Sequence, residues 1–337
     1  MSPRKPSVTA QDVARLAGVS RAVVSRALSS NGSISPDARA RVLRAAEELG
    51  YQVNFLAQGL NRQRSHLIGV IVSRISDPFR SALLDALLNE IQRQGFQALV
   101  SEIHSEQDLA HTLRRFTQFR VSGVIVTSGQ PPEALVNECV QQHIPVVGIN
   151  RQPTIPGVDY VCSDNVAGAE LAADQLLRSG CRRFGWLNHS PSTWAGRMRG
   201  EAFSRALQAR GVDVERNLAI LACPEEGYTG GFQAAALADE ALEGIFCANA
   251  QIACGFLDGM RQRGREAPAD FQLIGFDNTP TTAQYSYQLT TLHQDVAAIS
   301  RQALARLQER TVDPLQPSRT TWVEVTLIHR RTSPFII

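Results

Sequence analysis

The 337-residue sequence lacks the short motifs with which many enzymes build their active sites. It contains no G-x-x-x-x-G-K-[ST] phosphate loop, no G-x-S-x-G, no H-E-x-x-H and no G-x-G-x-x-G after a predicted strand. Its seven histidines are scattered, and His293, within LTTLHQD, is predicted to be structural. We therefore predict no catalytic residue and do not expect an enzyme.

Metal, disulfide and membrane signals are also missing. The six cysteines form no C-x-x-C pair and have no regular spacing, so we expect buried free thiols in a reducing cytoplasm, with neither a metal site nor a cofactor. The N-terminal MSPRKPSVTAQ has no apolar core of a signal peptide. No apolar run reaches the roughly 18 residues of a membrane span, and a cytoplasmic protein without membrane contact is expected.

Charge is scarce overall but unevenly distributed. The formal net charge is only +2, yet residues 1–64 carry 10 Lys and Arg against 4 Asp and Glu, whereas the remaining 273 residues carry 24 against 28. A basic head on a mildly acidic body favours attraction to phosphates at one end of the chain. With 43% hydrophobic residues, the chain is large enough for such a head and a body of two lobes.

Two short helical patterns meet at Gly18 in the stretch TAQDVARLAGVSRAVVSRAL, which runs from Thr9 to Leu28. Thr9 and Ser20 are predicted helix caps, and Gly18 supplies the left-handed turn. The predicted inward residues are Val13, Leu16 and Ala17, then Val23, Val24 and Ala27. A third helix, Pro36 to Leu49, would cover them with Ala38, Val42, Leu43, Ala46 and Leu49.

The start of the second helix faces outward with polar and basic residues. They are Arg21, Ala22, Ser25 and Arg26. This layout is typical of a helix-turn-helix, in which the second helix enters the major groove and guanidiniums contact guanine or phosphate. Taken alone, the same pattern also fits an ordinary helical hairpin with a solvated arginine face.

From residue 67 onward, short apolar strands alternate with helices in two similar halves. The first half contains LIGVIV, a strand at 97–100, GVIV and PVVGI, and the second contains FGWL, AILA, GIFCA and FQLIGF. Such alternation predicts parallel sheets covered on both faces, hence two Rossmann-like lobes. Ligands of these sheets bind beyond the carboxyl ends of the strands, so a cleft between the lobes is expected.

Several segments together resemble the LacI/GalR family of bacterial repressors: DVARLAGVSRAVVSRAL, ISPDARARVLRAAEELGY, HIPVVGIN, SDNVAGAELAADQLL, LIGFDN and LTTLHQD. The resemblance covers nearly the whole chain in order. It implies an all-α helix-turn-helix head at 1–50, a hinge at 51–64 and a periplasmic-binding-protein-like effector and dimerisation body at 65–337. Its N-lobe would comprise about 65–162 and 294–322, and its C-lobe about 163–293 and 323–337.

The resemblance also implies which residues bind DNA. They are Thr9, Ser20, Arg21, Ala22, Ser25 and Arg26 in the head, with Asn54, Ala57 and Leu60 in the hinge. Arg21 and Ala22 stand where base choice varies most, and Arg26 where a base contact is most constant. The hinge would become helical on DNA and wedge Leu60 into the minor groove, at a cost raised by Gly59. A flexible tether is the alternative for this segment.

The resemblance further implies an effector site formed by Ser73, Phe79, Asn150, Arg199, Asn249 and Asp277. A carboxylate, a guanidinium and carboxamides around one aromatic ring suit a polyhydroxylated molecule. Strand-end caps or loop salt bridges are the structural alternative. Asn150 and Ala250 stand where the family often has aspartate. With Arg74, Arg151, Arg197 and Arg199 nearby, this shifts the expected ligand from a neutral sugar towards a sugar acid or sugar phosphate.

The sequence therefore predicts a bacterial transcriptional regulator, most simply a repressor, associated with the nucleoid. Its expected partners are a near-palindromic double-stranded operator, a small sugar-like effector and a second copy of the chain. The absence of a leucine heptad after the last strand favours a dimer over a tetramer. The alternatives are a sugar-processing enzyme or a sugar-binding protein with an appended DNA-binding head.

Overall fold

The structure of the protein is a computed structural model that describes residues 8–28, 34–51, 65–127, 133–189 and 193–335. The chain divides into two compact units, Met1–Ser65 and His66–Ile337. In the part described, no helix is long and apolar enough to cross a membrane.

The N-terminal unit contains three helices with strong local start signals. They are α1 (Ala10–Ala17), α2 (Arg21–Ala27) and α3 (Pro36–Glu48). Thr9 and Asp12 form a reciprocal capping box on α1, and Gly18 ends that helix at φ 62°. Ser20 and Ser35 cap the next two helices.

The helical core is built largely from small side chains. It contains Val13, Ala14, Ala17, Val24, Ala27, Val42, Ala45 and Ala46. The predictions that Leu16 and Leu43 face inward are wrong, because these side chains are 47% and 49% exposed. Each helix turns by about 100° per residue. Ala14 and Ala45 lie on the buried faces of α1 and α3, and those faces therefore point away from Leu16 and Leu43.

The first lobe of the body is a six-stranded parallel sheet in the order β11-β5-β4-β3-β1-β2. Its strands are β1 (Leu67–Val72), β2 (Gln97–Glu102), β3 (Gly123–Val126), β4 (Val146–Ile149), β5 (Val158–Ser163) and β11 (Thr320–Val323). Its helices are α4 (Pro78–Arg93), α5 (Glu106–Gln118), α6 (Glu133–Gln141) and α12 (Val296–Val312). Separate apolar clusters involving α5 and α4 fill the two faces.

The second lobe repeats this plan in the order β12-β10-β9-β8-β6-β7. Its strands are β6 (Phe184–His189), β7 (Leu218–Cys223), β8 (Gly244–Cys247), β9 (Gln272–Asp277), β10 (Thr290–Gln294) and β12 (Val325–Ile328). Its helices are α7 (Asn165–Arg178), α8 (Trp194–Ala209), α9 (Val214–Asn217), α10 (Gly227–Leu237), α11 (Ala250–Gln262) and a 3-10 turn (Pro280–Ala283). Only the β10–β12 pairing in this sheet is antiparallel. The predicted fold, a helical head with two parallel-sheet lobes, is confirmed.

The sequence pattern did not reveal β5, although all six of its residues are buried. Asp159 interrupts its apolar run, and a charged residue rarely lies in a strand core unless it is paired. Here both carboxylate oxygens of Asp159 accept hydrogen bonds from Arg310 on α12, at 3.0 and 2.7 Å. The pair links the last helix of the first lobe to the strand beside it.

All six cysteines are buried free thiols, as predicted. Burial raises the pKa of Cys162 to about 11 and that of Cys254 to about 12. Such thiols hold their protons at neutral pH and are poor nucleophiles and poor metal ligands.

Candidate functional site

The predicted DNA-binding residues of the head lie on and around α2. Arg21, Ala22, Ser25 and Arg26 are exposed, as the helix-turn-helix interpretation requires. The hydroxyls of Thr9 and Ser20 accept bonds from Asp12 and Val23 as caps, so any phosphate contact would be additional to that role. Asn54, Ala57 and Leu60 lie outside the described residues, and their roles stay predictions.

A cavity of about 240 Å³ lies between the two lobes, at the carboxyl ends of the strands. This is slightly below the ~300–1,000 Å³ typical of small-molecule pockets. Of the predicted effector residues, Phe79, Asn150, Arg199, Asn249 and Asp277 line it. Ser73 is not among the lining residues, and its hydroxyl accepts a 2.5 Å bond from Arg80, which does line the cavity. Their binding roles remain predictions.

Arg199 forms the second-lobe floor of the cavity. Its side chain is only 7% exposed and donates to Asn165 Oδ1 at 2.7 Å and to the Ala248 carbonyl at 2.6 Å. Its Cζ lies 3.5 Å from the centre of the Phe276 ring. Burial lowers the pKa of Arg199 to about 10, so it remains charged at neutral pH.

A hydrogen-bonded chain joins the two lobes beneath the ligand space. Gln294 Nε2 donates to Asp277 Oδ1 at 2.6 Å, while Gln294 Oε1 accepts from Ser163 Oγ at 2.5 Å and from Asn150 Nδ2 at 3.3 Å. Asn150 Oδ1 accepts from the Ser163 amide. Gln294 and Ser163 were not among the predicted site residues. Both lie at strand ends, in LTTLHQD and SDNVAG, and that position was the available signal.

Four of the seven described non-glycine residues with a positive φ lie at this edge. Arg74, Asn150, Asp277 and Asn278 have φ angles of 50°, 51°, 90° and 51°. Left-handed conformations are costly for residues with a side chain and tend to occur at functional sites. Here they turn the chain sharply at strand ends. Arg74, Asn150 and Asp277 line the cavity, whereas Asn278 Oδ1 accepts a hydrogen bond from Arg330 at 2.7 Å.

A cross-lobe ion pair joins Arg74, after β1, to Glu226, which precedes α10. His189 Nε2 lies 3.9 Å from the same carboxylate. Arg74 was predicted to lie near the cleft, but Glu226, His189 and the pairing itself were not, because nothing in the local pattern pairs positions more than 150 residues apart. The pair bridges the lobes at the cavity lining.

Asp277 is a buried acid with a raised pKa. Burial raises the pKa from 3.8 to about 6, against the opposing effects of Arg199 and of the hydrogen bond from Gln294. The folded protein therefore holds this proton more tightly than the unfolded chain does.

This pKa predicts a specific pH dependence of stability. A raised carboxyl pKa contributes stability below about pH 4 that is lost as the pH rises through 6. Asp277→Asn cannot titrate. Because one pKa unit is about 1.4 kcal/mol, the wild type should lose about 3 kcal/mol between pH 4 and pH 7 that the variant keeps. Urea unfolding across this range measures the difference.

The control for this experiment is Asp213→Asn, at the exposed N-terminal cap of α9. The free energy of unfolding of this variant, plotted against pH, should run parallel to that of the wild type. If the curves of wild type and Asp277→Asn were also parallel, Asp277 would titrate normally.

Among the described residues, no group of three or more His, Cys, Asp or Glu side chains could hold a metal ion. The cavity carries cations and acids on both sides: Arg74, Arg80, Arg151 and Arg199, with Asp77, Glu226 and Asp277. Fixed charges with aromatic and amide groups suit recognition of a polar small molecule.

Residues 9–54 match the family of bacterial regulatory proteins of the lacI type, and residues 173–333 match the periplasmic binding protein-like domain. The chain is 31% identical over 329 residues to the HTH-type transcriptional regulator GalS of Salmonella typhimurium, covering 96% of each protein.

Two solved structures are also similar. The lac repressor dimer bound to operator and the anti-inducer ONPF has a TM-score of 0.84 at 23% identity, covering 98% of this chain and all of that one. A LacI family transcriptional regulator from Enterococcus faecium with bound ribose has a TM-score of 0.72 at 25% identity, covering 80% and 100%.

Proposed function

The chain belongs to the LacI family of bacterial regulatory proteins, and on this premise we propose a homodimeric repressor whose affinity for its operator is controlled by a small polyhydroxylated molecule in the interlobe cavity. The observation that carries the proposal is the cavity itself, lined from both lobes by fixed polar side chains. The relatives that the chain resembles are transcriptional regulators, so the enzyme alternative is set aside.

The mechanism follows from ligand contacts shared between lobes. A molecule that packs on Phe79 and bonds to Asn150 on one lobe, and bonds to Arg199 and Asn249 on the other, favours one interlobe angle. That angle sets the spacing of the two heads in a dimer, so ligand and operator affinities are coupled in both directions. The proposed boundaries remain a head at 1–50, a hinge at 51–64 and a body from 65. Its proposed location is the bacterial cytoplasm, at the nucleoid.

The test is selection of bound DNA from a random pool by the purified full-length protein. It is repeated with a panel of sugars, sugar acids, sugar phosphates and nucleobases. We expect a near-palindromic site whose recovery changes with one class of compound. Enrichment of no site under any condition would overturn the proposal, and hydrolysis or phosphoryl transfer on a panel member would revive the enzyme alternative.

Arg21 provides a sharper test of the head. Its side chain is exposed at the first position of α2. Arg21→Ala should weaken binding to the selected operator by about 1–3 kcal/mol and relax base preference at one position in each half-site. Selection with the variant measures this, with exposed Arg44→Ala on α3 as the control. An equal loss on every DNA sequence would instead make Arg21 a phosphate contact.

A further inference from the structure

Three guanidinium groups converge on the first-lobe side of the cavity from separate elements. Arg74 follows β1, Arg80 lies in the first turn of α4, and Arg151 follows β4 by two residues. They are close enough to repel one another. The pKa of Arg151 is lowered to about 10, chiefly by burial and then by the charges of Arg80 and Arg74.

Two of these cations have only neutral hydrogen-bond acceptors. Arg80 Nη1 donates to the Ser73 carbonyl at 3.1 Å and to its hydroxyl, and Arg151 Nη2 donates to the Thr127 carbonyl. Arg151 Nε is buried and has no hydrogen-bond partner within the described part of the chain. In the same part, no carboxylate oxygen lies within 4.0 Å of either guanidinium.

Other arginines of this protein contrast with that arrangement. Buried Arg310 is paired with Asp159 at 2.7 Å, and half-buried Arg261 with Glu266 at 2.8 Å. A cation removed from water without a counter-charge is costly, which is why buried charges are normally paired. Arg80 and Arg151, both half-buried, bond only neutral acceptors among the described residues, and Arg151 Nε has no hydrogen-bond partner there.

The carboxylates that line the cavity near these arginines already have other partners. Asp77 Oδ1 accepts the Arg80 amide as the cap of α4, and Asp277 is bonded to Gln294. Glu226 is paired with Arg74. Asp77 and Asp277 act on Arg80 at longer range, but its pKa is still lowered, with burial as the largest cause.

We propose that Arg80 and Arg151, with Arg74 beside them, form an oxyanion site that binds a carboxylate or phosphate group of the regulatory ligand. The inference rests on the proposed function and narrows its ligand class to acidic sugars. Two oriented guanidiniums match the paired oxygens of a carboxylate or phosphate. The acid group lies on the first lobe, and the hydroxyls contact Asn249, Asp277 and Arg199 of the second.

The experiment is calorimetric titration of the full-length protein. The probes are inorganic phosphate, hexonic and hexuronic acids, hexose phosphates and the neutral parent sugars. We expect at least one acid or phosphate to bind tenfold or more tightly than its neutral parent, with affinity falling as salt rises. Arg80→Gln and Arg151→Gln should each reduce that affinity at least tenfold. Sugar acids and sugar phosphates are titrated in separate experiments, so the series that binds more tightly shows whether the site takes a carboxylate or a phosphate.

Exposed Arg114→Gln on α5 is the matched control and should leave the affinity unchanged. Arg151→Lys keeps the positive charge but lacks the planar guanidinium. This variant should lose less affinity for the acid or phosphate than Arg151→Gln does. Neutral sugars binding as tightly as every acid, or inorganic phosphate and all acids failing to bind, would overturn the oxyanion site. If operator selection and release by a neutral sugar still succeed, the proposed function stands without it. Failure of operator selection removes the proposed function instead.

Discussion

Arg199→Ala is expected to destabilise the second lobe by about 3–5 kcal/mol and to abolish the response of operator binding to ligand. The guanidinium of Arg199 bonds Asn165 and the Ala248 carbonyl and lies 3.8 Å from Asp277 Oδ1. Its removal leaves a buried carboxylate without a counter-charge, and breaking one side of a buried pair costs this much. It also removes one of the fixed donors of the cavity floor.

A double replacement separates the two effects. Arg199→Ala with Asp277→Asn removes both charges, so it should recover part of the lost stability without restoring the ligand response. Exposed Arg205→Ala, on the same helix α8, should change neither property. Urea unfolding gives the stability, and ligand titration of a protein–operator complex gives the response. A single variant with wild-type stability would show that Asp277 needs no counter-charge.

Asp159→Ala is expected to cost the first lobe a similar 3–5 kcal/mol. Asp159 is 1% exposed and accepts from Nε and Nη2 of Arg310, and also from the Arg319 amide at 2.8 Å. Arg310 in turn donates to the carbonyls of Gln316 and Pro317. Without the carboxylate, a buried guanidinium keeps only neutral partners, and the segment before β11 loses its attachment.

The protein contains a matched surface pair for comparison. Arg210 and Asp174 also form a two-contact pair, at 2.5 and 2.8 Å, but their side chains are 29% and 38% exposed. Asp174→Ala should therefore cost only about 1 kcal/mol or less, because solvent screens an exposed pair. Replacing Asp159 and Arg310 together by leucine and methionine should recover much of the loss. Equal costs for Asp159→Ala and Asp174→Ala in urea unfolding would contradict the argument.

Much of the fold could be predicted because its signals are local. Capping residues such as Thr9 and Ser35 begin helices at the predicted positions, and apolar runs such as LIGVIV form buried strands. The head was predicted less well at Leu16 and Leu43. There, alanines rather than leucines face the core, because three short helices approach closely where side chains are small.

The candidate site could be predicted in part for a geometric reason. Asn150 and Asp277 each end a strand of a parallel sheet, and the carboxyl ends of such strands share one edge. Residues that line the cavity at strand ends could therefore be predicted from the sequence. Arg80 was not, because its position in the first turn of α4 does not differ in pattern from a solvated helix start.

Local patterns were enough to predict the class of protein, nearly all of its helices and strands except β5, and the chemistry at the strand ends. The pairing of charges depends on the folded arrangement: Arg310 pairs with Asp159 and Arg74 with Glu226, while Arg80 and Arg151 have no carboxylate within 4.0 Å in the described part of the chain. Helix and strand signals depend on neighbours a few residues apart. The counter-charge of a buried group must lie within about 4 Å, and for Arg310 the chain supplies it from Asp159, 151 residues away.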